Sequence, residues 1–128
     1  MLVASIVDRN APAVRAGDDI RSAARLLAES RCGVLPVVAE DERGRRVVGL
    51  LRYRDAFAAI YGCADGAAAM PVASAMSPAV CTCRTSDSLG HAVRLLRRSG
   101  MEAVPVLDGD GYLVGLLSFA DLVRDAAR

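Results

Sequence analysis

The chain has 128 residues, of which 53% are hydrophobic and 24% charged, values that fit a folded globular protein with one core or two half-size units. Sixteen basic and fifteen acidic residues give a net charge of +1, spread along the chain, which disfavours nucleic acid and anionic membranes as partners. No apolar run approaches the ~18 residues that a bilayer span needs. We therefore expect a cytoplasmic protein. All of its basic residues are Arg and Ala is very common, a composition that indicates a bacterial genome. Without a secretory signal, its four cysteines are predicted to be reduced thiols.

An internal repeat organises the sequence. Residues 5–38 align with residues 74–107 at an offset of 69, and the match includes Arg15 on Arg84 and Pro36 on Pro105. The offset falls to 66 where GLLRYRD (49–55) aligns with GLLSFAD (115–121). We attribute the change to a turn that is three residues longer in the first copy, which a surface hairpin tolerates.

Each copy predicts the element order β-α-β-β-α. In the first copy a brief strand at 13–15 precedes an amphipathic helix, which runs from Asp18 to Ser30 and opens with a capping Asp. One stripe of this helix is apolar: Ile20, Ala23, Ala24, Leu26 and Leu27. Two buried strands at 34–38 and 47–51 then form a hairpin, and a second helix begins at 54. The equivalents in the second copy are 80–83, 87–98, 103–107, 113–117 and a helix from 120.

The segment between the copies, 63–71, is rich in small residues and ends in Pro, which predicts a linker. The predicted domains are therefore 1–62 and 72–128. Neither copy is large enough to cover both faces of its sheet, so we expect an α+β fold in which the two repeats pack sheet to sheet with pseudo-twofold symmetry. The cleft that the repeats share is then the candidate functional surface.

This pattern resembles a known family, the tandem cystathionine-β-synthase (CBS) domain pair, or Bateman module. In the second copy the resemblance lies in VASAMSPAVCTCRTSDSL, HAVRLLRRSGM, AVPVLD and GLLSFADL, and in the first copy in IRSAARLLAE, VLPVV and GLLRYRD. The first copy departs at SIVDRNAP, which lacks the Met of SAMSP. The match covers essentially the whole chain, which looks like a stand-alone module.

The resemblance implies a non-enzymatic regulatory module that needs no cofactor. Such modules bind adenosine-containing ligands (AMP, ADP, ATP or S-adenosylmethionine) in the cleft between the repeats, pair as homodimers and signal to a partner protein. The alternative is a ligand-free CBS scaffold that mediates dimerisation and protein interaction. A third hypothesis, a small metal- or redox-dependent enzyme, rests on the pair Cys81 and Cys83 alone, and we expect no metal site because two ligands do not make one.

The corner GLLSFAD provides the main candidate site. A strand that ends in Ser118 and leads into a helix brings a hydroxyl and backbone N–H groups together, which favours an anion, and Asp121 can accept hydrogen bonds from a ribose. The alternative is that both residues only cap the helix. The resemblance assigns phosphate contact to Ser118 and ribose binding to Asp121. It places the base against the first repeat, at Pro12, Cys32, Gly33, Val34 and Pro36.

The corner GLLRYRD provides a candidate second site, in which Arg52 replaces the serine and Asp55 matches Asp121. The Arg52 guanidinium can bind a phosphate, fill the cradle or point to solvent. Glu102 can accept a hydrogen bond from an adenine amino group or occlude the pocket. The facing residues that the resemblance implies are Val80, Cys81, Met101, Glu102, Ala103 and Pro105. His91 lies on the polar side of its helix and is predicted to be solvated.

Overall fold

The computed structural model describes residues 1–30, 32–62, 70–79 and 81–128. The first repeat contains β1 (Val14–Arg15), α1 (Ile20–Glu29), β2 (Val34–Asp41), β3 (Gly44–Arg52) and α2 (Tyr53–Gly62). The second repeat contains β4 (Cys83–Arg84), α3 (Leu89–Ser99), β5 (Ala103–Leu107), β6 (Leu113–Ser118) and α4 (Phe119–Ala126). Short 3-10 helices at Val3–Ser5 and Val72–Ser74 lie at the N-terminal ends of the two repeats. The predicted α+β class and the β-α-β-β-α order are confirmed.

The two sheets have the same topology. Each has three strands in sequence order, β1-β2-β3 and β4-β5-β6, with a parallel first pair and an antiparallel hairpin. The hairpins have equivalent registers, since Pro36 lies opposite Leu50 and Pro105 opposite Leu116. Isolated bridges are also matched, because Leu2 bridges to Ser88 and Pro71 to Asp19. This correspondence is the predicted pseudo-twofold symmetry.

Alternation along the strands divides the core into layers. Leu35, Val37 and Leu51 pack with the apolar stripe of α1, and the second repeat has an equivalent cluster. The intervening residues Val34 and Leu50 instead pack against Met101 and Ala103 of the second repeat. The sheets therefore meet face to face, as the repeat predicts, with the helices on the outside.

The residue that caps α1 differs from the one that opens the predicted helix. Asp19 is the N-cap and accepts a hydrogen bond from the Ser22 N–H at 3.0 Å, whereas Asp18 accepts from the Arg15 N–H at 2.8 Å. The second repeat does the same with Ser88 as the cap of α3. In each repeat the first acidic residue closes the turn after the strand, and the next residue is left to cap the helix.

The N-terminal segments of the two repeats are exchanged between the cores. Val3 is fully buried in the core of the second repeat, and Val72 is fully buried in the core of the first. Asp8 forms a backbone bridge with Leu116, and Ser77 forms the equivalent bridge with Leu50. The sequence repeats therefore do not coincide with the packing units. The predicted boundaries 1–62 and 72–128 stay a prediction, and most of the predicted linker lies outside the described residues.

None of the helices in the described ranges combines the length and hydropathy that crossing a bilayer requires.

Candidate functional site

A cleft of about 620 Å³ lies between the repeats, beside the corner at which β6 leads into α4. The second repeat contributes Leu116, Ser118 and Asp121. The first repeat contributes two segments, Ile6 to Pro12 and Leu26 to Val34. The lining residues from these segments are Ile6, Asp8, Asn10, Ala11, Pro12, Leu26, Glu29, Ser30, Cys32 and Val34. The lining combines apolar side chains with polar groups, which is the composition of a small-molecule site.

Ser118 and Asp121 form a capping box at the start of α4. The Ser118 hydroxyl donates to Asp121 Oδ2 at 2.9 Å and accepts from the Asp121 N–H at 3.2 Å, and the Ser118 N–H also donates to Oδ2. Ser118 is only 4% exposed. The first-turn N–H of Phe119 donates to the Glu102 carbonyl oxygen at 3.2 Å. The N–H groups of Phe119 and Asp121 and the Ser118 hydroxyl, which were expected to cradle a phosphate, therefore already have partners within the protein.

Asp121 keeps one oxygen for other partners. Its Oδ1 accepts from Nη2 of Arg124 at 3.3 Å, in an ion pair whose arginine is half exposed. Such a solvated pair contributes little stability and exchanges readily. Oδ1 is thus the atom through which Asp121 can accept a hydroxyl donor from the cleft.

Two further carboxylates line the cleft, which the sequence analysis missed. Asp8 is half-buried and precedes Asn10, whose N–H donates to Asp8 Oδ1 at 3.0 Å, and Glu29 lies exposed at the end of α1. Asp8 occupies the position equivalent to Ser77, as their matching bridges show. Comparing the two copies at this position would have revealed the difference in charge.

The second corner is filled by its own side chains. Arg52 donates through Nη2 to the Ser77 hydroxyl at 3.2 Å and through Nε to Asp55 Oδ2 at 3.4 Å. Ser77 in turn donates to Asp55 Oδ1 at 2.8 Å, and the Arg52 N–H donates to Oδ2 at 2.9 Å. Both carboxylate oxygens of Asp55 are therefore occupied, and its side chain is 9% exposed. Of the three orientations considered for Arg52, it adopts the one that fills the cradle.

A shallower cleft of about 480 Å³ lies beside this corner. It is lined by Arg52, Met101 and Glu102, but its lining does not include Asp55. The Tyr53 ring packs so closely onto Gly33 that there is no room for a Cβ at this position. Gly33 also has a φ of +68°, a backbone conformation that favours glycine. Ala103 and Pro105 are buried in β5, Cys81 packs against the second core, and Val80 lies outside the described residues. The predicted second site is therefore only partly assembled.

The family comparison agrees with this architecture. The CBS domain family matches the chain twice, over residues 3–62 and 72–128. The chain belongs to the CBS domain family. Two CBS domains in series, with equivalent sheets packed face to face, make it a tandem pair.

Solved CBS proteins resemble the pair over nearly its whole length. A putative signal-transduction protein with CBS domains from Burkholderia ambifaria is 30% identical with a TM-score of 0.78, covering 98% of this chain and 93% of that one. CBSX2 of Arabidopsis thaliana, in complex with AMP, is 27% identical with a TM-score of 0.80, covering 98% and 96%. Among curated relatives, inosine-5′-monophosphate dehydrogenase of Thermoplasma acidophilum is 26% identical over 97% of this chain. The chain spans about a quarter of the length of the curated relatives it matches.

The CBS pair brings together most of the residues predicted for the first site. Ser118 and Asp121 share the cleft with Pro12, Cys32 and Val34. Two predicted neighbours are elsewhere: Gly33 faces the other cleft, and Pro36 is buried within β2 opposite Leu50. Gly33 precedes β2, and Pro36, although it shares a face of the strand with Val34, lies two residues farther along it. The binding roles predicted for Ser118 and Asp121 stay predictions.

Cys81 and Cys83 are core residues of the second repeat. Cys83 is 2% exposed, and its burial raises the pKa of the thiol to about 11. Cys81 packs partly buried against the same core. Within the described residues, no three His, Cys, Asp or Glu side chains lie close enough together to hold a metal ion. His91 is about half exposed, 3.9 Å from Asp87 Oδ2, so its predicted solvated position is confirmed.

Proposed function

We propose that this CBS pair is a non-enzymatic regulatory module that binds an adenosine-containing ligand in the cleft between its repeats. The observation that carries the proposal is the cleft itself, in which Ser118 and Asp121 of the second repeat face Pro12, Cys32 and Val34 of the first. Its volume of about 620 Å³ lies within the range of small-ligand sites. CBSX2, which is 27% identical over almost the whole chain, forms a complex with AMP.

The cleft suggests how such a ligand is held. A purine ring packs between Pro12 and Val34, and the ribose hydroxyls donate to Asp121 Oδ1 in place of Arg124. Oδ1 has two lone pairs and can accept from both hydroxyls, and hydrogen bonds to an ionised carboxylate are stronger than those between neutral groups. Because the other Asp121 oxygen stays in the capping box, α4 keeps the carboxylate in place. Binding would then draw the two repeats together.

We propose one ligand per chain. The second corner is occupied by Arg52, which forms hydrogen bonds with both Asp55 and Ser77. A ribose would have to displace these contacts and desolvate the arginine, and the remaining contacts of Asp55 would still compete. The two corners therefore have different roles despite their shared origin.

Homodimerisation and signalling to a partner protein, in the cytoplasm, complete the proposal. Helices α2 and α4 expose large apolar side chains that a monomer leaves in water: Tyr53, Phe57, Tyr61, Phe119 and Val123. The Phe57 and Tyr61 rings contact each other at a tilt of 41°, with ring centroids 5.0 Å apart. An exposed aromatic surface of this kind is typical of interaction sites. The ligand would then act by changing the geometry of a dimer that a partner recognises.

A thermal-shift screen with adenosine, AMP, ADP, ATP and S-adenosylmethionine tests the ligand class. A ligand at ~100 times its Kd adds ~2.7 kcal/mol to the free energy of unfolding, which raises the Tm measurably. GTP is the matched control for the base. If none of the adenine compounds raises the Tm, the chain does not sense them.

The ligand-free scaffold is the second candidate. The observation in its favour is that the capping groups of both corners have partners within the protein, through Ser118 with Asp121 and through Arg52 with Asp55. Under this alternative, analytical ultracentrifugation finds a dimer, but no adenine compound alters its stability. Under the favoured proposal, the dimer and the ligand response are both present.

A further inference from the structure

The charge of the cleft distinguishes between the adenosine ligands that the proposed function leaves open. Three carboxylates line it, Asp8, Glu29 and Asp121, and none of the described lining residues is basic. Arg31, which lies between two lining residues in the sequence, is outside the described part of the chain. An AMP phosphate carries ≈ −1.5 to −2 charges at neutral pH, so its placement beside these groups is unfavourable.

Only one of the three carboxylates is balanced by a described cation. Asp121 pairs with Arg124, which lies in an adjacent groove with Asp125 and Arg128. Neither Asp8 nor Glu29 forms an ion pair with any basic residue in the described ranges. Glu29 is exposed and screened by solvent, whereas Asp8 is half-buried, so Asp8 contributes the stronger field.

At the Ser118 corner, three of the donors expected to bind a phosphate are already used. The Ser118 hydroxyl and the Asp121 N–H are used in the capping box, and the Phe119 N–H is used by the Glu102 carbonyl. The Cys32 thiol also senses the negative charge of the cleft. Burial raises its pKa, and the charges of Asp121 and Asp8 raise that pKa further. The carboxylates thus act across the cleft on a neighbouring group.

The equivalent corner of the other repeat shows that the negative charge is not a requirement of the fold. There Ser77 replaces Asp8, and Arg52 balances Asp55. The two corners share backbone bridges of the same kind, so a polar, uncharged side chain fits at this position.

From these contacts we infer that the cleft selects adenosine ligands whose 5′ substituent is uncharged or cationic, a nucleoside, thioether or sulfonium, over those that carry phosphate. The inference rests on the proposed function. Asp8 is the residue that sets the selectivity, and Asp121 is the ribose anchor common to all these ligands.

Isothermal titration with adenosine, 5′-methylthioadenosine, S-adenosylmethionine, AMP and ATP tests the inference. In ~50 mM salt we expect AMP and ATP to bind about tenfold or more weakly than adenosine, and the gap to narrow in ~500 mM salt because ions screen the carboxylates. AMP binding as tightly as adenosine would overturn the selectivity and leave the proposed function standing. Failure of all five compounds would overturn the proposed function itself.

Asp8→Asn isolates the charge, because the amide oxygen can still accept from the Asn10 N–H and the backbone bridge to Leu116 is unaffected. We expect the variant to bind AMP about three- to tenfold more tightly and adenosine with unchanged affinity. Arg124→Gln, at the opposite side of Asp121, is the matched control and should not raise AMP affinity. Equal AMP affinity in Asp8→Asn and the unmodified protein would contradict the role of Asp8.

Arg31→Ala tests the basic residue that lies between two lining residues in the sequence. An unchanged preference for adenosine in this variant supports the inference. A preference that appears only after Arg31 is removed would overturn it.

Discussion

Arg52 reaches across the module to Ser77, with 3.2 Å between its Nη2 and the serine hydroxyl oxygen. The two residues belong to different repeats, and both also contact Asp55. The contact therefore ties the exchanged segment of the second repeat to the start of α2. Ser118 occupies the position equivalent to Arg52, but its hydroxyl forms its hydrogen bonds with Asp121 of its own helix.

Arg52→Ala is expected to lower the free energy of unfolding by about 1 kcal/mol. The change removes hydrogen bonds to a nearly buried carboxylate, but Arg52 is 32% exposed, so solvent screening limits the loss. Urea unfolding monitored by circular dichroism measures the effect. Arg43→Ala, an exposed arginine in the β2–β3 turn, is the control, and equal losses in both variants would show that the network contributes nothing specific.

Arg52→Ser is expected to raise the number of adenosine ligands bound per chain from one to two. The substitution reproduces the residue at the equivalent position, Ser118, and removes the side chain that fills the second corner. Titration calorimetry gives the stoichiometry. A value that stays at one would mean that Asp55, Ser77 or Glu102 closes this corner without help from the arginine.

Gly115→Ala is expected to destabilise the protein by several kcal/mol and to weaken ligand binding. A Cβ at this position would overlap the carbonyl group of Asp8, a backbone atom that cannot move without displacing the exchanged N-terminal segment. Gly49→Ala is the matched control, because the nearest atom there is the Met76 sulfur at 2.7 Å, in a flexible side chain. Thermal unfolding compares the two, and a larger loss for Gly49→Ala would contradict this account.

Asp121→Ala is expected to abolish adenosine binding and to lower stability by about 0.5–2 kcal/mol, since the residue also closes the capping box of α4. Ser118→Ala separates the two effects. It removes the cap but keeps the carboxylate, so it should have a similar loss of stability with smaller loss of affinity. Titration and urea unfolding are run on both variants, and adenosine affinity that survives Asp121→Ala would show that the ribose anchor lies elsewhere.

Because the Cys83 thiol is buried, we expect the free energy of unfolding to fall at alkaline pH. In the unfolded chain the thiol titrates near 9.0, whereas burial raises its pKa to about 11 in the folded protein. Between these values the unfolded state loses a proton that the folded state retains. The contribution is therefore fully present below pH 9 and is lost as the pH rises through 11, by roughly 2–3 kcal/mol. Urea unfolding at pH 8 and 10.5 should show this decline in the unmodified protein and a smaller decline in Cys83→Ala; equal declines would contradict the assignment.

The sequence predicts the fold well because the same pattern occurs twice. Ile20 and Leu27 lie on an apolar stripe of one helix, and Val34 and Leu35 face opposite sides of one strand. A single arrangement of helix, sheet and second repeat buries all four side chains. The exchange of Val3 and Val72 between the cores could not be predicted, since a short segment of small residues fits either sheet equally well. For the site, the proximity of Asp121 and Cys32 is implied by the family resemblance, and the structure places both in one cleft. The orientation of Arg52 could not be predicted, because a long, flexible side chain can reach several partners and their positions are known only from the folded structure.

The exchanged N-terminal segments link the two repeats through noncovalent contacts. Val3 is part of the second core and Val72 part of the first, so each core includes a piece of chain from the opposite repeat. A protease that cut the chain between 62 and 70 would leave two fragments that stay bound to each other through the backbone bridges of Asp8 and Ser77. We expect such a nicked protein to migrate as one particle in gel filtration and to separate only in denaturant.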